Sequence, residues 1–477
     1  MIQTMAVKRA VKRVVHLSVE ERAARGRDAR IRTPRSAHAG WEPAADRPHP
    51  VALLEQQNAT REPDLVPVRH GRMMVSPFTF YRGAAKIMAA DLRDTPRAGL
   101  WAQLCGDAHL LNFGVFGSPE RRVVFDLNDF DETLPGPFEY DLKRLATSVM
   151  IAARNNGFAA ADARSATRAS VTAYREAIAG FAAMRTMDIW YAHLSEDLLD
   201  AARGAATTKQ EAKTLKRVGR DVERARTHDS LQALSKLGEL VDGRYRIKSQ
   251  PPILVPLRDL AATSGISPVA AERAVRHQLR GYRASLDDAR RYLLERFQLI
   301  DAARKVVGVG SVGTRAYIAL LQGRDQDDPL FLQVKEATAS VLEDHLPKSR
   351  YRSAGERVVC GQRLMQATSD IFLGWTVEPD GRHYYWRQLR DMKASAPVEA
   401  LSPRALTSYA SGCAWTLARA HARSGDPIAI AAYLGNSDQF DRAVTGFSER
   451  YADQNERDYQ SFVAAIGSGR LQALEGV

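Results

Sequence analysis

The 477 residues carry a formal net charge of +12, with 45% hydrophobic and 26% charged residues; this length and composition support a large core and exclude a stapled mini-scaffold or a mostly disordered chain. No run approaches the roughly 18 to 20 apolar residues of a membrane helix, and no apolar signal segment follows the basic start, so we expect no membrane partner. Three widely spaced cysteines, Cys105, Cys360 and Cys413, form no CxxC pair, which favours a reducing compartment and a cytoplasmic protein.

Residues 1–50 form the most basic part of the chain. They contain eleven Lys and Arg residues against five Asp and Glu residues, which supplies half of the net charge. A short segment rich in Ala and Arg is typical of a solvated extension. We therefore predict a disordered basic tail over residues 1–50, which contacts polyanions nonspecifically through its charge.

Beyond the tail, the pattern of apolar residues changes several times. A helix is predicted to begin at Ser76 and Pro77. Short apolar runs predict strands at 100–104 and 122–127, each ending in a polar loop. Helical patterns then dominate from 139 to about 305, with long segments at 161–184, 208–226 and 269–297. Strand patterns follow at 306–321, 330–334 and 383–389, with one helix at 353–368, before helices return from 404. This order predicts an α+β protein.

The most informative segment runs from Cys105 to Asn112 and reads CGDAHLLN. Asp107 and Asn112 are five residues apart, as in the catalytic loop of protein kinases, and Asp126 follows 14 residues later, where those enzymes place a metal-binding aspartate. Phosphoryl transfer requires an acceptor-only group near the attacking hydroxyl and oxygen ligands for Mg²⁺. We therefore predict Asp107 and Asn112 as catalytic residues, with Asn112 and Asp126 as metal ligands. The alternative is a polar turn whose side chains cap backbone amides.

A second motif, VGVGSVG, lies far downstream at 307–313. Gly308, Gly310 and Gly313 match GxGxxG, and Ser311 lies between them. The pattern fits a dinucleotide-binding turn, with 314–321 as the following helix, or the phosphate-covering loop of a kinase. Lys335 in LFLQVKEA resembles the lysine that binds the α and β phosphates, which favours the kinase. Without the glycines, Lys335 would be interpreted as an exposed edge-strand lysine.

Further candidates surround these two motifs. Glu356, on the helix predicted at 353–368, is the acid expected to pair with the lysine, although other glutamates lie nearby. Arg82 precedes the catalytic strand and is predicted either to contact a phosphate or the substrate, or to form a structural ion pair. His109, Asp129 and Asp131 cluster in sequence near the metal acids, and either aspartate is a candidate for a further ligand.

At this level the chain resembles known proteins. The run from GDAHLLN through FDLNDFD to EYDLKRLA is similar to the HGDxHxxN, IDF and DLA motifs of aminoglycoside and choline phosphotransferases, which belong to the protein-kinase-like superfamily. Asp141 matches the DLA acid, whereas Cys105 replaces a usual histidine. Phrases from SPFTFYRGAA to ARAHARSGD, over about 400 residues, also resemble a bacterial family known as domain of unknown function 2252. The resemblance implies ATP and Mg²⁺ as cofactors and a kinase-like fold.

The motif order differs from that of kinases, because the catalytic loop precedes the glycine loop and lysine. Reading from 306 to the C-terminus and then from 76 onward restores it. We therefore predict a circularly permuted, two-lobe, protein-kinase-like α+β fold. Its helix-rich large lobe comprises 51–304, with the catalytic and metal loops, and is completed by C-terminal helices at 398–477. Its small β-rich lobe comprises 305–397.

The resulting hypothesis is an ATP- and Mg²⁺-dependent phosphotransferase acting on a hydroxyl of a small molecule or protein. A nucleotidyl transferase on the same fold is an open variant, and a catalytically weak pseudokinase that binds nucleotide is the first alternative. A nucleic-acid-binding protein working through the basic tail is the second, and a dinucleotide-dependent dehydrogenase is the third.

Overall fold

The computed structural model describes residues 15–195, 230–263, 265, 267–389 and 392–476. It is a mixed α+β protein in which a six-stranded sheet packs beside a large group of helices. The helix predicted at 208–226 lies outside the described residues. No helix among the described residues is both long and apolar enough to cross a membrane.

The N-terminal region is folded. Helix α1 (Val19–Arg32) begins at Ser18, whose hydroxyl accepts from the Glu21 amide while Glu21 accepts from the Ser18 amide. It packs on a C-terminal helix, where Arg30 donates to the carbonyl oxygen of Tyr433 at 2.8 Å. Helix α2 (Pro50–Asn58) follows. The predicted disorder of residues 1–50 is therefore wrong for 19–50, because capping and docking supply the partners that a free tail lacks.

The helical part is built on a buried apolar core. Its helices are α3 (Val66–Met73), α4 (Pro77–Gly83), α5 (Ala85–Leu92), α6 (Glu139–Asn155), α7 (Ala160–Ala182), α8 (Thr186–Tyr191), α14 (Pro403–Ser424), α15 (Pro427–Leu434) and α16 (Gln439–Gly467). Helix α7 packs along α14, and α6, α7 and α16 contact one another. Phe138 and Tyr174 stack with their ring centroids 6.1 Å apart. Segments that are far apart in the sequence thus share one core.

The strands of the six-stranded sheet are β8 (Leu254–Pro256), β9 (Gln298–Lys305), β10 (Ala316–Gln322), β11 (Pro329–Ala337), β12 (Gly374–Val377) and β13 (His383–Gln388). The sheet is antiparallel and has the order β12-β13-β11-β10-β9-β8. Both faces are covered by helices, which explains why β11 is buried almost throughout. On one face Tyr282 stacks on Trp386 at 4.6 Å, and on the other Ala233 packs in a cluster with Ile318.

The helices around this sheet are α9 (Ser230–Leu237), α10 (Leu257–Thr263), α11 (Pro268–Arg283), α12 (Asp288–Leu294) and α13 (Ala354–Met365). Three short sheets complete the described structure. Strand β1 (Trp101–Leu104) pairs with β4 (Leu134–Pro137), β2 (Phe113–Gly117) and β5 (Leu194–Ser195) flank β3 (Val123–Leu127), and β6 (Gly238–Val241) pairs with β7 (Arg244–Ile247). The first two sheets support the polar loops at 105–112 and 128–133.

The structure corrects two sequence predictions in the sheet region. The single strand predicted at 306–321 is instead a loop at 306–315 followed by β10. The boundary predicted between 304 and 305 also fails, because β8 and β9 belong to the same sheet as β10. Residues 139–305 are accordingly not helical throughout. Apolar and polar residues alternate only weakly along β9, because the strand carries two charged residues in ion pairs. Arg304 pairs with Glu62, and Asp301 pairs with Arg258.

The packing of α1 on α15 can be tested at Gly26. A Cβ at this position would overlap the carbonyl oxygen of Ala429, a backbone atom that cannot move freely. We expect Gly26→Ala to lower the free energy of unfolding by about 1–3 kcal/mol, as overpacking typically does. In the matched variant Gly180→Ala the new Cβ meets open space in α7, so we expect a gain of about 0.5–1 kcal/mol. Urea unfolding measures both, and equal effects would contradict the docked α1.

Candidate active site

A cavity of about 510 Å³ lies between the six-stranded sheet and the helical part. Residues from 82–86, 107–112, 128–132 and 308–314 line it. Its volume lies within the range of small-molecule sites, about 300–1,000 Å³. The cavity therefore gathers the catalytic-loop and glycine-loop residues predicted from distant parts of the sequence.

The loop after β1 is held by helix α6. The carboxylate of Asp141 accepts from the amides of Cys105 at 2.8 Å and Gly106 at 3.0 Å. Arg144 donates through Nε to Oδ1 of Asp107 at 2.8 Å. Burial raises the pKa of Asp107, although the Arg144 guanidinium opposes that rise. Asp141 is thus a positioning residue, and Asp107 is a carboxylate with a fixed orientation and raised proton affinity.

Asn112 is oriented by the same loop. Its amide nitrogen donates to the backbone oxygen of Asp107 at 2.5 Å, which leaves the amide oxygen as the atom to bind a ligand in the cavity. His109 also lines the cavity and accepts from the Leu111 amide through Nδ1 at 3.2 Å. Burial, with the charges of Arg82 and Arg144, holds the pKa of His109 well below its usual range. This histidine is therefore neutral at pH 7.

Asp126 does not reach the cavity. Its carboxylate forms a fully buried ion pair with Arg419 and accepts from the Leu127 and Ala367 amides at 2.8 and 2.9 Å. All of these contacts connect β3 to α14 and to the residues after α13. The prediction of Asp126 as a metal ligand conflicts with this geometry, because its lone pairs are used inside the core.

Asp129 and Asp131 line the cavity instead. Asp131 forms an ion pair with Lys335 at 2.5 Å and accepts from the Tyr385 hydroxyl at 2.6 Å. Burial raises the pKa of Asp131, but Lys335 and Tyr385 outweigh this effect and lower it to about 2. Oδ2 of Asp129 lies 3.7 Å from the Lys335 amine. The carboxylate of Asp131 is consequently occupied by its contacts with the sheet residues Lys335 and Tyr385. A third of the Asp129 side chain is exposed, so Asp129 is the acid available to a ligand.

Glu356 does not form the ion pair predicted for it. The ion pairs of Lys335 among the described residues are those with Asp129 and Asp131. Successive residues of a helix are rotated by about 100°, and in α13 it is Arg357 that faces the interior. Arg357 donates to the backbone oxygen of Asp131 at 2.8 Å.

The glycine loop joins β9 to β10, two antiparallel neighbours. Gly308 and Gly313 have φ angles of +65° and +86°, which favour glycine. Arg72 donates to the Gly308 oxygen at 2.6 Å, and Ser311 donates to Oδ2 of Asp131 at 3.3 Å. At Gly310 a Cβ would lie 3.1 Å from the backbone oxygen of Arg82. Strands flank this loop on both sides, so the dinucleotide-binding alternative, which needs a helix after the glycines, is wrong.

Several cavity residues were not singled out by sequence. They include five charged side chains with no common spacing or motif: Arg61, Lys86, Glu132, Arg387 and Lys393. Burial raises the pKa of Glu132 to about 7. Burial, together with Arg387, lowers the pKa of Lys393 to about 7. Only the fold brings these groups together, so no local signal identifies them.

In the described part of the chain, no three His, Cys, Asp or Glu side chains lie close enough together to bind a metal ion by themselves. Mg²⁺ is commonly bound by one or two protein oxygens together with substrate phosphates. Asn112 and Asp129, which face the same cavity, offer oxygens of that kind.

These features define a mixed α+β protein with a polar cavity that is lined by a glycine loop and by several carboxylates. Residues 61–465 match DUF2252, a family described as an uncharacterized protein conserved in bacteria. Because this match covers most of the chain, the protein belongs to that family, as the resemblance predicted. The matched range, 61–465, includes every predicted site residue. No curated protein and no solved structure matches the chain.

The different roles of Asp126 and Asp129 predict different effects on stability. Removing one partner of a buried ion pair typically costs about 3–5 kcal/mol, so we expect Asp126→Ala to lower the free energy of unfolding by that amount. Asp129→Ala should change it by less than about 1 kcal/mol, because its side chain is partly exposed. Chemical denaturation of both variants provides the comparison. If Asp126→Ala were as stable as the wild type, the ion pair with Arg419 would contribute nothing to folding, and Asp126 would again be a candidate metal ligand.

Proposed function

We propose that the protein is an ATP- and Mg²⁺-dependent phosphotransferase of the protein-kinase-like type, acting on a hydroxyl of a small molecule or protein. One observation carries the proposal: a single cavity brings Asp107, Asn112 and Asp129 together with the 308–313 loop. The spacing of residues in the sequence relates only those residues that belong to the same motif. Their convergence in three dimensions is what a phosphoryl-transfer site requires.

Each cavity residue has a role that follows from its contacts. Asp107 accepts the proton of the acceptor hydroxyl, since Arg144 fixes the carboxylate and burial raises its pKa. Asn112 and Asp129 hold Mg²⁺ through oxygens that face the cavity. The backbone amides of the glycine loop cover the phosphates. Bound Mg²⁺-ATP would supply the phosphoryl group and leave as ADP, and the hydroxyl that Asp107 activates would receive that group.

The sheet supports a kinase-like small lobe. The glycine loop joins β9 and β10, and Lys335 lies on β11, the next strand in both sequence and space. Kinases carry the glycine loop and then the lysine of the third strand in this order. Helix α13 and strands β12 and β13 follow. A circular permutation, with the sheet after the catalytic loop in sequence, accounts for the reversed motif order, and β8 is an additional edge strand.

One observation favours the non-catalytic alternative. Lys335 is only 2% exposed and is paired with Asp131, rather than with an acid of α13. In this arrangement the amine is not presented to phosphates. A nucleotide-binding module without turnover is therefore the second candidate, and turnover measurements distinguish it from the first.

The basic N-terminus gives less support to a nucleic-acid-binding function than its charge suggested. Four of its arginines are engaged within the protein. Arg22 pairs with Asp426, and Arg47 pairs with Asp91. Arg30 and Arg35 donate to the backbone oxygens of Tyr433 and Leu434. These charges are consequently not those of a free polycationic tail.

Calorimetry of ATP binding tests the proposal directly. We expect wild-type protein to bind ATP, and to bind it more tightly with Mg²⁺ than without. In Asp129→Asn the Mg²⁺ enhancement should disappear, because the variant loses an anionic oxygen ligand. Asp453→Asn, which removes an exposed acid paired with Arg154, is the matched control and should behave as wild type. Absence of ATP binding in the wild type would overturn both the phosphotransferase and the pseudokinase.

Turnover tests the role of Asp107. With water as the default acceptor, we expect slow release of phosphate from ATP by the wild type. Asp107→Asn should reduce this rate by about 10²–10⁴-fold, the usual contribution of a general base, while ATP affinity stays close to the wild-type value. Release of pyrophosphate instead of phosphate would identify nucleotidyl transfer. Equal rates in both proteins would contradict the proposed base.

A further inference from the structure

Arg82 is the penultimate residue of α4 and lines the cavity with Asp107 and His109. Its Nε is buried and unbonded. Throughout the described part of the chain, no group forms a hydrogen bond or ion pair with its guanidinium. Burial lowers the pKa of Arg82, although arginine remains charged in proteins. This half-buried side chain thus holds a positive charge at the cavity, and the acids whose charges act on it, Glu399 and Asp107, form no hydrogen bond with it.

Neighbouring buried arginines each donate to several protein groups, although Nε of Arg69 is unbonded like that of Arg82. Arg69 donates to Asn58, Gln57 and the Gly83 oxygen. Arg144 donates to Asp107 and to the Tyr81 oxygen. A buried charge costs free energy unless it is paired. The segment 81–83 supplies backbone acceptors to the other two guanidinium groups, whereas Arg82 receives none. Its donors therefore remain for a ligand in the cavity.

The surroundings of Arg82 place that ligand between two parts of the site. The Arg82 backbone contacts the glycine loop at Gly310, and its side chain lies near enough to Glu399 and Asp107 for their charges to interact with it. Lys86, about one turn further along, lines the same cavity and pairs with Asp344 at 2.9 Å. An anion at Arg82 would therefore lie beside the carboxylate that receives the acceptor proton.

We propose that Arg82 binds an oxyanionic group of the acceptor, so that the acceptor is an anionic molecule carrying a phosphate or carboxylate. A guanidinium presents paired N–H donors that match such groups. That the anion belongs to the acceptor rests on the proposed phosphotransferase function. The anion site itself rests on the unpaired guanidinium alone. The γ-phosphate of a nucleotide offers the same chemistry, and the experiment distinguishes the two sources.

The first measurement is calorimetric titration of the full chain with inorganic phosphate in the absence of nucleotide. We expect Arg82→Gln to weaken phosphate binding about tenfold or more, as loss of a charged hydrogen-bonding partner does. Arg93→Gln removes the same charge from an exposed arginine paired with Asp94 and should leave the affinity unchanged. Phosphate binding that is absent in the wild type, or equal in Arg82→Gln, overturns the anion site.

The second measurement repeats the titration with a saturating, non-hydrolysable ATP analogue and Mg²⁺. If phosphate still binds the wild type and Arg82→Gln still binds the analogue normally, the anion belongs to the acceptor. If the analogue displaces phosphate and Arg82→Gln weakens the analogue but not ADP, Arg82 serves the γ-phosphate and the acceptor assignment is overturned. Failure of the analogue to bind defeats the proposed function, while the first measurement still decides the anion site.

Thermal unfolding separates a binding role from a structural one. Because Arg82 has no partner in the protein, Arg82→Gln should melt at the wild-type temperature or above it, whereas an arginine that supports the fold would lower it. Arg82→Lys keeps the charge but loses the paired donors, so its phosphate affinity should fall between those of the wild type and Arg82→Gln. A lower melting temperature in Arg82→Gln, with wild-type phosphate affinity in Arg82→Lys, contradicts the proposal.

Discussion

The site depends on how the segment 126–133 is held between the sheet and the helices. Much of this segment is irregular and buried, and buried backbone groups must find hydrogen-bond partners. The sheet side supplies them: Arg357 donates to the Asp131 oxygen, Arg387 to the Asn128 oxygen and Gln366 to the Leu127 oxygen. The position of Asp129 is consequently determined by the docked sheet, and the cavity exists only when both parts are packed together.

Helix α6 plays the corresponding role for the loop 105–112, which we propose to be catalytic. Asp141, Arg144 and Ser148 lie at i, i+3 and i+7, on one face of the helix, and contact the loop in order. Asp141 binds the amides of 105–106, Arg144 binds Asp107, and Ser148 accepts from the Leu110 amide at 2.8 Å. A loop held by three residues of one rigid helix is preorganised, which is the property that electrostatic stabilisation of a reaction requires.

The sequence predicted those parts of the site that are local. The Asp107 to Asn112 loop and the glycine loop are contiguous motifs, and the structure brings both to one cavity. The choice between Asp126 and Asp129 was not local, because it depends on where β3 ends: Asp126 lies within the strand and faces the core, whereas Asp129 follows it. Helix α1 was missed for a similar reason. Its buried residues are the small Gly26 and Ala29, so no apolar stripe marks it in the sequence.

The charges of the cavity explain why Arg82 stands apart. Asp107 is paired with Arg144, and Asp131 is paired with Lys335, which also lies near Asp129. Burial brings the pKa of Glu132 to about 7, so this acid is partly neutral at physiological pH. These acids are therefore already compensated by cations or by protons. Arg82 is close to Asp107, yet Asp107 is already paired with Arg144. The exposed Glu399 acts on Arg82 through its charge but forms no ion pair with it. We therefore infer that an anionic ligand completes the compensation of Arg82, at the point where the proposed transfer takes place.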